Sequence, residues 1–224
     1  MPLLSCVEIE PNTPADAAVI WLHGLGASGH DFEPVVPELG LPKDHAVRFV
    51  FPHAPSIPVT INGGWSMPAW YDILDASLER KVDLAQLRES ARETHRLIER
   101  ERERGVDSSR IVIAGFSQGG AVGYEAALSY RAPLAGLLAL STYFATAASV
   151  SLAPANRTLP IHVFHGSRDP MVPEALGHDA TQVLKAMGYT PGYSTYPIEH
   201  NVNLDEIVEI GGCLRRWLAL DKNA

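Results

Sequence analysis

Short runs, most of them rich in apolar residues, alternate along this chain with longer stretches in which apolar residues recur every three or four positions. The runs are Cys6–Ile9, Ala17–Leu22 (AAVIWL), 46–51, 111–114 (IVIA), 134–140 (LAGLLAL), 161–165 (IHVFH) and Gly192–Tyr196. Each is too short for a helix, and most lack the polar alternation of a half-exposed strand, so they predict strands buried on both faces. The clearest helix spans 83–104, where Asp83 with Gln86 resembles a capping box, Leu84, Leu87, Ala91 and Ile98 share one face, and Gly105 supplies a stop. Further helices are expected over 121–130, over 173–187 before Gly188, and after Asn203 and Glu206, where Ile207, Ile210, Leu214 and Trp217 repeat at helical spacing. Strand, helix, strand throughout implies an α/β architecture, with a mostly parallel sheet covered by helices on both faces.

Two stretches depart from this rhythm. Residues 52–72 contain four prolines and Gly63-Gly64, which argues against a long helix, yet Ile57, Val59, Ile61, Trp65, Met67, Trp70 and Tyr71 are too apolar for a solvated loop. The segment is expected to be irregular and to wall an apolar pocket, the alternative being that its side chains cap the core or form a subunit contact. On the 83–104 helix, Arg88, Arg92, Arg96, Arg100 and Arg104 recur every four residues, which would suit phosphate groups were Glu89, Glu99 and Glu103 not interleaved. The expected face is solvated and charge-balanced, with pairs such as Glu89–Arg92 and Arg100–Glu103, and His95 is expected to pack at its edge.

The 224 residues and 46% hydrophobic content suit one α/β domain over 1–224. A formal charge of −8 disfavours nucleic acid and anionic lipid as partners. Cys6 and Cys213 form no C-x-x-C pair, so reduced thiols and a cytoplasmic location are expected, with no thiolate metal site. Leu3-Leu4-Ser5-Cys6 is like the end of a lipoprotein signal but lacks a basic start and an apolar run before it. His162 and His165 would face opposite sides of their strand and make a poor metal pair.

The candidate chemistry sits at the carboxyl ends of the runs, which share one rim in a parallel sheet. Arg110 to Ala121 (RIVIAGFSQGGA) reads as a strand, a sharp G-x-S-x-G turn and a helix start, lifting Ser117 clear of the sheet, with Gly115, Gly119 and Gly120 removing side chains where strand and helix cross. The pentapeptide alone is weak evidence. Its context adds Asp169 after the 161–165 run and His200 after Gly192–Tyr196, in the order Ser, Asp, His. His200 would take the serine proton, and Asp169 would hold the imidazole. The loop His23-Gly24-Leu25-Gly26 follows Leu22, and its bare N–H groups suit an oxyanion: Leu25 N–H is the expected partner of Gln118 N–H, the residue after the nucleophile.

These residues resemble the carboxylesterase and acyl-protein thioesterase family of α/β-hydrolases, also labelled phospholipase/carboxylesterase, and its bacterial carboxylesterases above all. The resemblance runs from Ala17 to Leu218 on Leu22-His23-Gly24-Leu25-Gly26, Pro52 to Pro55 with Thr60-Ile61-Asn62-Gly63-Gly64, Trp70-Tyr71-Asp72, Gly115-Phe116-Ser117-Gln118-Gly119-Gly120, His165-Gly166 with Asp169, and Tyr196-Pro197 with His200. It implies an α/β-hydrolase fold, a Ser117, Asp169, His200 triad, an oxyanion hole at Leu25 and Gln118, no metal or other cofactor, and dimers formed near the active site. Ile198 and Glu199 depart from the residues that relatives commonly carry before the histidine. The expected activity is hydrolysis of short- to medium-chain carboxylic esters, or thioesters, through an acyl-enzyme on Ser117, with Ile61, Trp65, Met67, Trp70 and Val172 as substrate-binding side chains. The same chemistry on long chains, as an acyl-protein thioesterase or lysophospholipase, is the first alternative. A catalytically inactive binding module is the second. The partner expected is a small ester or thioester substrate, without stable membrane insertion.

Overall fold

The apolar runs pair into a seven-stranded sheet. The computed structural model describes residues 3–75, 77 and 80–221. Its strands are β1 (Cys6–Ile9), β2 (Ala17–Leu22), β3 (Val47–Pro52), β4 (Ser56–Val59), β5 (Trp65–Pro68), β6 (Ile73–Asp75), β7 (Lys81–Val82), β8 (Ile111–Phe116), β9 (Gly136–Leu140), β10 (Ile161–Gly166) and β11 (Gly192–Tyr196). The helices are α1 (Leu84–Glu103), α2 (Gln118–Ser129), α3 (Glu174–Ala186) and α4 (Leu204–Trp217). The main sheet runs β1-β3-β2-β8-β9-β10-β11, parallel throughout except where β1 meets β3. The chain steps outward from β2 to β3 and then returns past β2 to β8, so the strand order reverses between β2 and β8. Crevices at the carboxyl ends of such a switch point are where open α/β sheets hold ligands.

Alternation along β2 explains why its run is apolar without interruption. In β2, Ala18, Ile20 and Leu22 join one core with Leu87, Leu97 and Ile98 of α1, Val122 of α2 and Leu184 of α3. Ala17, Val19 and Trp21 point the other way, into a second core with Ile207, Ile210 and Leu214 of α4. Helices thus cover both faces, and both sets of side chains are buried. Among the described residues no helix is long and apolar enough to cross a membrane.

Three expectations change. Helix α2 begins at Gln118, three residues before the predicted start. Low glycine propensity hides this start, but packing overrides it: a Cβ on Gly119 would lie 2.5 Å from the Leu22 carbonyl oxygen, and one on Gly120 2.6 Å from Thr142 Cγ2. Residues 52–72 are not irregular throughout, because β4 pairs with β5 as an antiparallel hairpin in which Val59 faces Trp65. A two-stranded ribbon has two free edges, which tolerate Pro58 and Pro68. The charged face of α1 is not simply solvated. Glu89–Arg92, Glu93–Arg96 and Glu99–Arg102 pair along it, but Arg100 bonds Glu8 of β1 and Glu101 rather than Glu103. Arg48 of β3 and fully buried Glu101 form a 2.7 Å ion pair beneath them.

The expected capping boxes are half formed. Asp83 accepts from the Ala85 and Gln86 N–H groups, while the Gln86 side chain accepts from Asp72 N–H instead of reaching back. Asn203 likewise accepts from Glu206 N–H at 2.9 Å, but the Glu206 carboxyl is buried with no partner among the described residues. Burial, helped by nearby Glu209, pushes Glu206 up from 4.5 to about 8. A carboxyl raised on folding stabilises the protonated native state below its unfolded pKa, and that contribution is lost as pH rises through about 8. Glu206→Gln is therefore expected to raise the melting temperature at pH 9 by about 4–8 °C, on the order of 2 kcal/mol, and far less at pH 5. Equal shifts at both pH values would mean that Glu206 does not titrate this way.

Candidate active site

Strand β8 delivers Ser117 at its carboxyl end, in a backbone conformation (φ 53°, ψ −119°) that a side-chain-bearing residue rarely adopts. Hydrogen bonds hold it there: Ser117 N–H donates to the Leu140 carbonyl at 2.8 Å, and the Ser117 carbonyl accepts from Thr142 Oγ1 at 2.6 Å and Gly120 N–H at 3.0 Å. Gly115 permits the turn, since a Cβ there would stand 2.4 Å from the Gly119 oxygen.

The loops after β10 and β11 bring Asp169 and His200 to the same place. His200 Nε2 lies 2.9 Å from Ser117 Oγ, and its Nδ1 lies 2.6 Å from Asp169 Oδ2. The other carboxylate oxygen, Oδ1, accepts the Met171 and Val172 N–H groups at 2.8 Å each. Burial acts to raise the Asp169 pKa, but the bonds from His200, Val172 and Met171 outweigh it and hold the carboxyl below its ordinary value. A carboxylate so placed is ionised, and it obliges His200 to carry its proton on Nδ1, leaving Nε2 to accept from the serine.

The supporting contacts are specific. Ser167 and Arg168 N–H donate to the Tyr196 and Ile198 carbonyls at 2.7 and 3.0 Å, tying the two loops together. Gly166 leaves room for this, because a Cβ would meet the Glu199 oxygen at 2.4 Å. The Glu199 side chain itself is exposed. His165, fully buried, donates from Nε2 to the Val172 carbonyl at 2.8 Å, and burial lowers its pKa so that it stays neutral. The Phe116 ring packs against the His200 imidazole with centroids 4.8 Å apart. His162 and His165 do face opposite sides of β10: one lies against Cys213 of α4, and the other would crowd a Cβ on Gly177 of α3.

The glycine loop after β2 is oriented by His23. Its Nε2 accepts from Ala54 N–H at 3.1 Å, so Nδ1 carries the proton and donates to the Gly24 carbonyl at 2.7 Å. Carbonyl and N–H point opposite ways across a trans peptide, so anchoring the Gly24 oxygen turns the Leu25 N–H away from His23. Trp70 Nε1 donates to the His23 carbonyl at 2.8 Å, and Gly26 N–H donates to the Pro68 carbonyl at 2.8 Å, so the hairpin buttresses this loop. Among the described residues neither Leu25 N–H nor Gln118 N–H has a hydrogen-bond acceptor. The Gln118 side chain is occupied elsewhere, accepting from Trp70 N–H at 2.8 Å and donating to the Tyr71 carbonyl at 2.6 Å.

Leu25, Ser117, Gln118 and His200 open on a cavity of about 230 Å³, walled by Ile61, Ile73, Phe116, Tyr143, Met171 and Val172, with Asp31 and Arg80 also on its lining. A larger hollow of about 620 Å³, lined by residues such as Ile9, Glu33, Val36 and Lys43, carries none of these groups and is the more open of the two.

Of the five expected substrate-binding side chains, Ile61 and Val172 line the cavity. Trp65, Met67 and Trp70 do not, and for different reasons. Trp65 is 77% exposed on the hairpin. Met67 stands behind the glycine loop, its sulfur 3.9 Å from where a Gly26 Cβ would be. Trp70 is buried and spends both N–H groups on Gln118 and His23, so it supports the site from beneath. Sequence reasoning missed Arg80, Tyr143 and Met171. Tyr143 follows the carboxyl end of β9 and Met171 follows Asp169, a placement that could have marked both; Arg80 carried no such signal.

The family described as Phospholipase/Carboxylesterase matches residues 5–218. An acyl-protein thioesterase 1 of Neurospora crassa is 41% identical over 202 residues, covering 85% of this chain and 82% of that protein. The crystal structure of Zea mays acyl-protein thioesterase 2 superposes with a TM-score of 0.84 at 25% identity, covering 96% of this chain and 99% of that one. Arabidopsis thaliana SOBER1 superposes equally well, with a TM-score of 0.84 at 29% identity over 90% of this chain and 99% of its own.

Proposed function

The chain belongs to the phospholipase/carboxylesterase family of α/β-hydrolases, and on that premise we propose that it hydrolyses acyl thioesters, as an acyl-protein thioesterase does, through an acyl-enzyme on Ser117. The observation that carries this reading is the hydrogen-bonded chain Ser117–His200–Asp169 opening on a cavity beside two N–H groups without acceptors among the described residues.

His200 Nε2 takes the hydroxyl proton as Ser117 Oγ bonds to the acyl carbon. The carbonyl electrons move onto oxygen, and the Leu25 and Gln118 N–H groups stabilise that oxyanion, each such donor being worth about 3–4 kcal/mol in the transition state. Asp169 stabilises the imidazolium. Collapse of the intermediate breaks the bond to sulfur, with the His200 proton going to the leaving thiolate. Water then enters, gives a proton to His200 and attacks the acyl-enzyme; the carboxylic acid leaves as the proton returns to Ser117.

The named relatives favour the thioester as substrate. The 230 Å³ cavity favours a second reading, a carboxylesterase for short acyl chains, because pockets for drug-sized ligands begin at roughly 300 Å³. Matched thioesters and oxygen esters of one acyl group separate the two. The thioesterase reading expects kcat/KM at least about ten-fold higher for the thioester, a difference of about 1.4 kcal/mol. A preference for the oxygen ester would leave the carboxylesterase reading in its place.

A further inference from the structure

A second hollow, of about 180 Å³, adjoins the Ser117 cavity. Phe144, Ala145, Ala147, Leu176, Ala180 and Val183 make most of its wall, and it shares Arg80 and Tyr143 with the first. These two side chains therefore stand as the partition between a catalytic cavity and an apolar slot.

They are not equally fixed. Tyr143 is buried, and its hydroxyl shares a 2.7 Å hydrogen bond with the buried Tyr71 hydroxyl. Arg80 leans on it from the outside, its guanidinium carbon 4.9 Å from the Tyr143 ring centroid, while Nη2 donates to the Met171 carbonyl. Among the described residues its Nε is buried without an acceptor. Its backbone is left-handed, with φ 33°. A guanidinium held by the Met171 carbonyl and by the Tyr143 ring and hydroxyl, on a long flexible stem that can carry its charge to water, is a wall that can be moved.

We propose that Arg80 is an acyl-length gate. In the position observed it confines the acyl group to the Ser117 cavity. Released from Met171 and Tyr143, it joins that cavity to the slot lined by α3 and the segment after Phe144. A long acyl chain reaches the gate and must displace the charge, because methylenes cannot replace its polar contacts. A short chain never reaches it. The structure favours this over recognition of an anionic substrate group by Arg80, because beyond the gate the lining is apolar except for Asp179, whose charge would repel an anion. The inference rests on the Ser117 cavity being the acyl site.

The test is kcat/KM for a series of thioesters from butanoyl to hexadecanoyl, together with an ω-carboxy dodecanoyl thioester. It compares the wild type, Arg80→Ala and Arg80→Ala combined with Ala147→Trp, which fills the slot. The hexadecanoyl-to-butanoyl ratio is expected to rise about ten-fold or more in Arg80→Ala and to fall back in the double variant. With turnover still dependent on Ser117, an unchanged ratio would overturn the gate alone. So would a gain that survives the filled slot, or a loss confined to the ω-carboxy substrate. Turnover of every chain that persists in Ser117→Ala would instead overturn the site reading and the gate with it.

Discussion

Ser117→Ala is expected to lower kcat/KM for every acyl chain by about 10⁴-fold or more, while melting temperature and KM change little. The hydroxyl of Ser117 lies 2.9 Å from His200 Nε2, whereas the backbone bonds that hold the turn, to Leu140, Thr142 and Gly120, do not involve it. Alanine must still adopt the unusual backbone of residue 117, a cost serine already bears. What survives should be the contribution of the Leu25 and Gln118 N–H groups and of the cavity, which bind without a nucleophile. Steady-state kinetics on purified protein, with thermal unfolding as the control, reads this directly. A variant retaining a tenth of wild-type activity would show that another group forms the acyl intermediate.

Asp169→Asn is the second large effect, expected at about 10³–10⁴-fold in kcat. Asp169 Oδ1 accepts two N–H groups at 2.8 Å, from Met171 and Val172, so the amide of the variant must keep its oxygen there. Its NH₂ is then forced into the place of Oδ2, facing His200 Nδ1. Two donors cannot share that contact, so the imidazole proton moves to Nε2 and points at Ser117, where a base is needed. The loss should fall on kcat rather than KM, since Asp169 does not line the cavity. A rise in KM alone, with kcat intact, would contradict this role.

Much of this arrangement was legible from the chain because the relevant residues follow short apolar runs. Once AAVIWL, IVIA and IHVFH are read as parallel strands, the residues after Leu22, Phe116, Gly166 and Tyr196 must share one rim, and the juxtaposition of Ser117, Asp169 and His200 follows. What could not be read depends on which distant segments meet. The glycine start of α2 looks non-helical until Leu22 and Thr142 are seen to leave no room for side chains. Trp70 reads as a pocket wall until its N–H groups are found on Gln118 and His23. The regular arginines of α1 conceal a buried pair between Arg48 and Glu101, because periodicity describes one helix and says nothing of the strand beneath it. Arg80 and Tyr143, 63 positions apart in sequence, become neighbours only through the fold.

Every step above requires the acyl group to pass through Ser117. Intact-mass measurement after rapid mixing with a slowly deacylating acyl thioester, followed by peptide mapping, tests it most directly. A gain of one acyl group per chain is expected, located on the peptide containing Ser117 and absent in Ser117→Ala. Turnover with no adduct at any time, or an adduct on another residue that forms and decays at the rate of turnover, would contradict it.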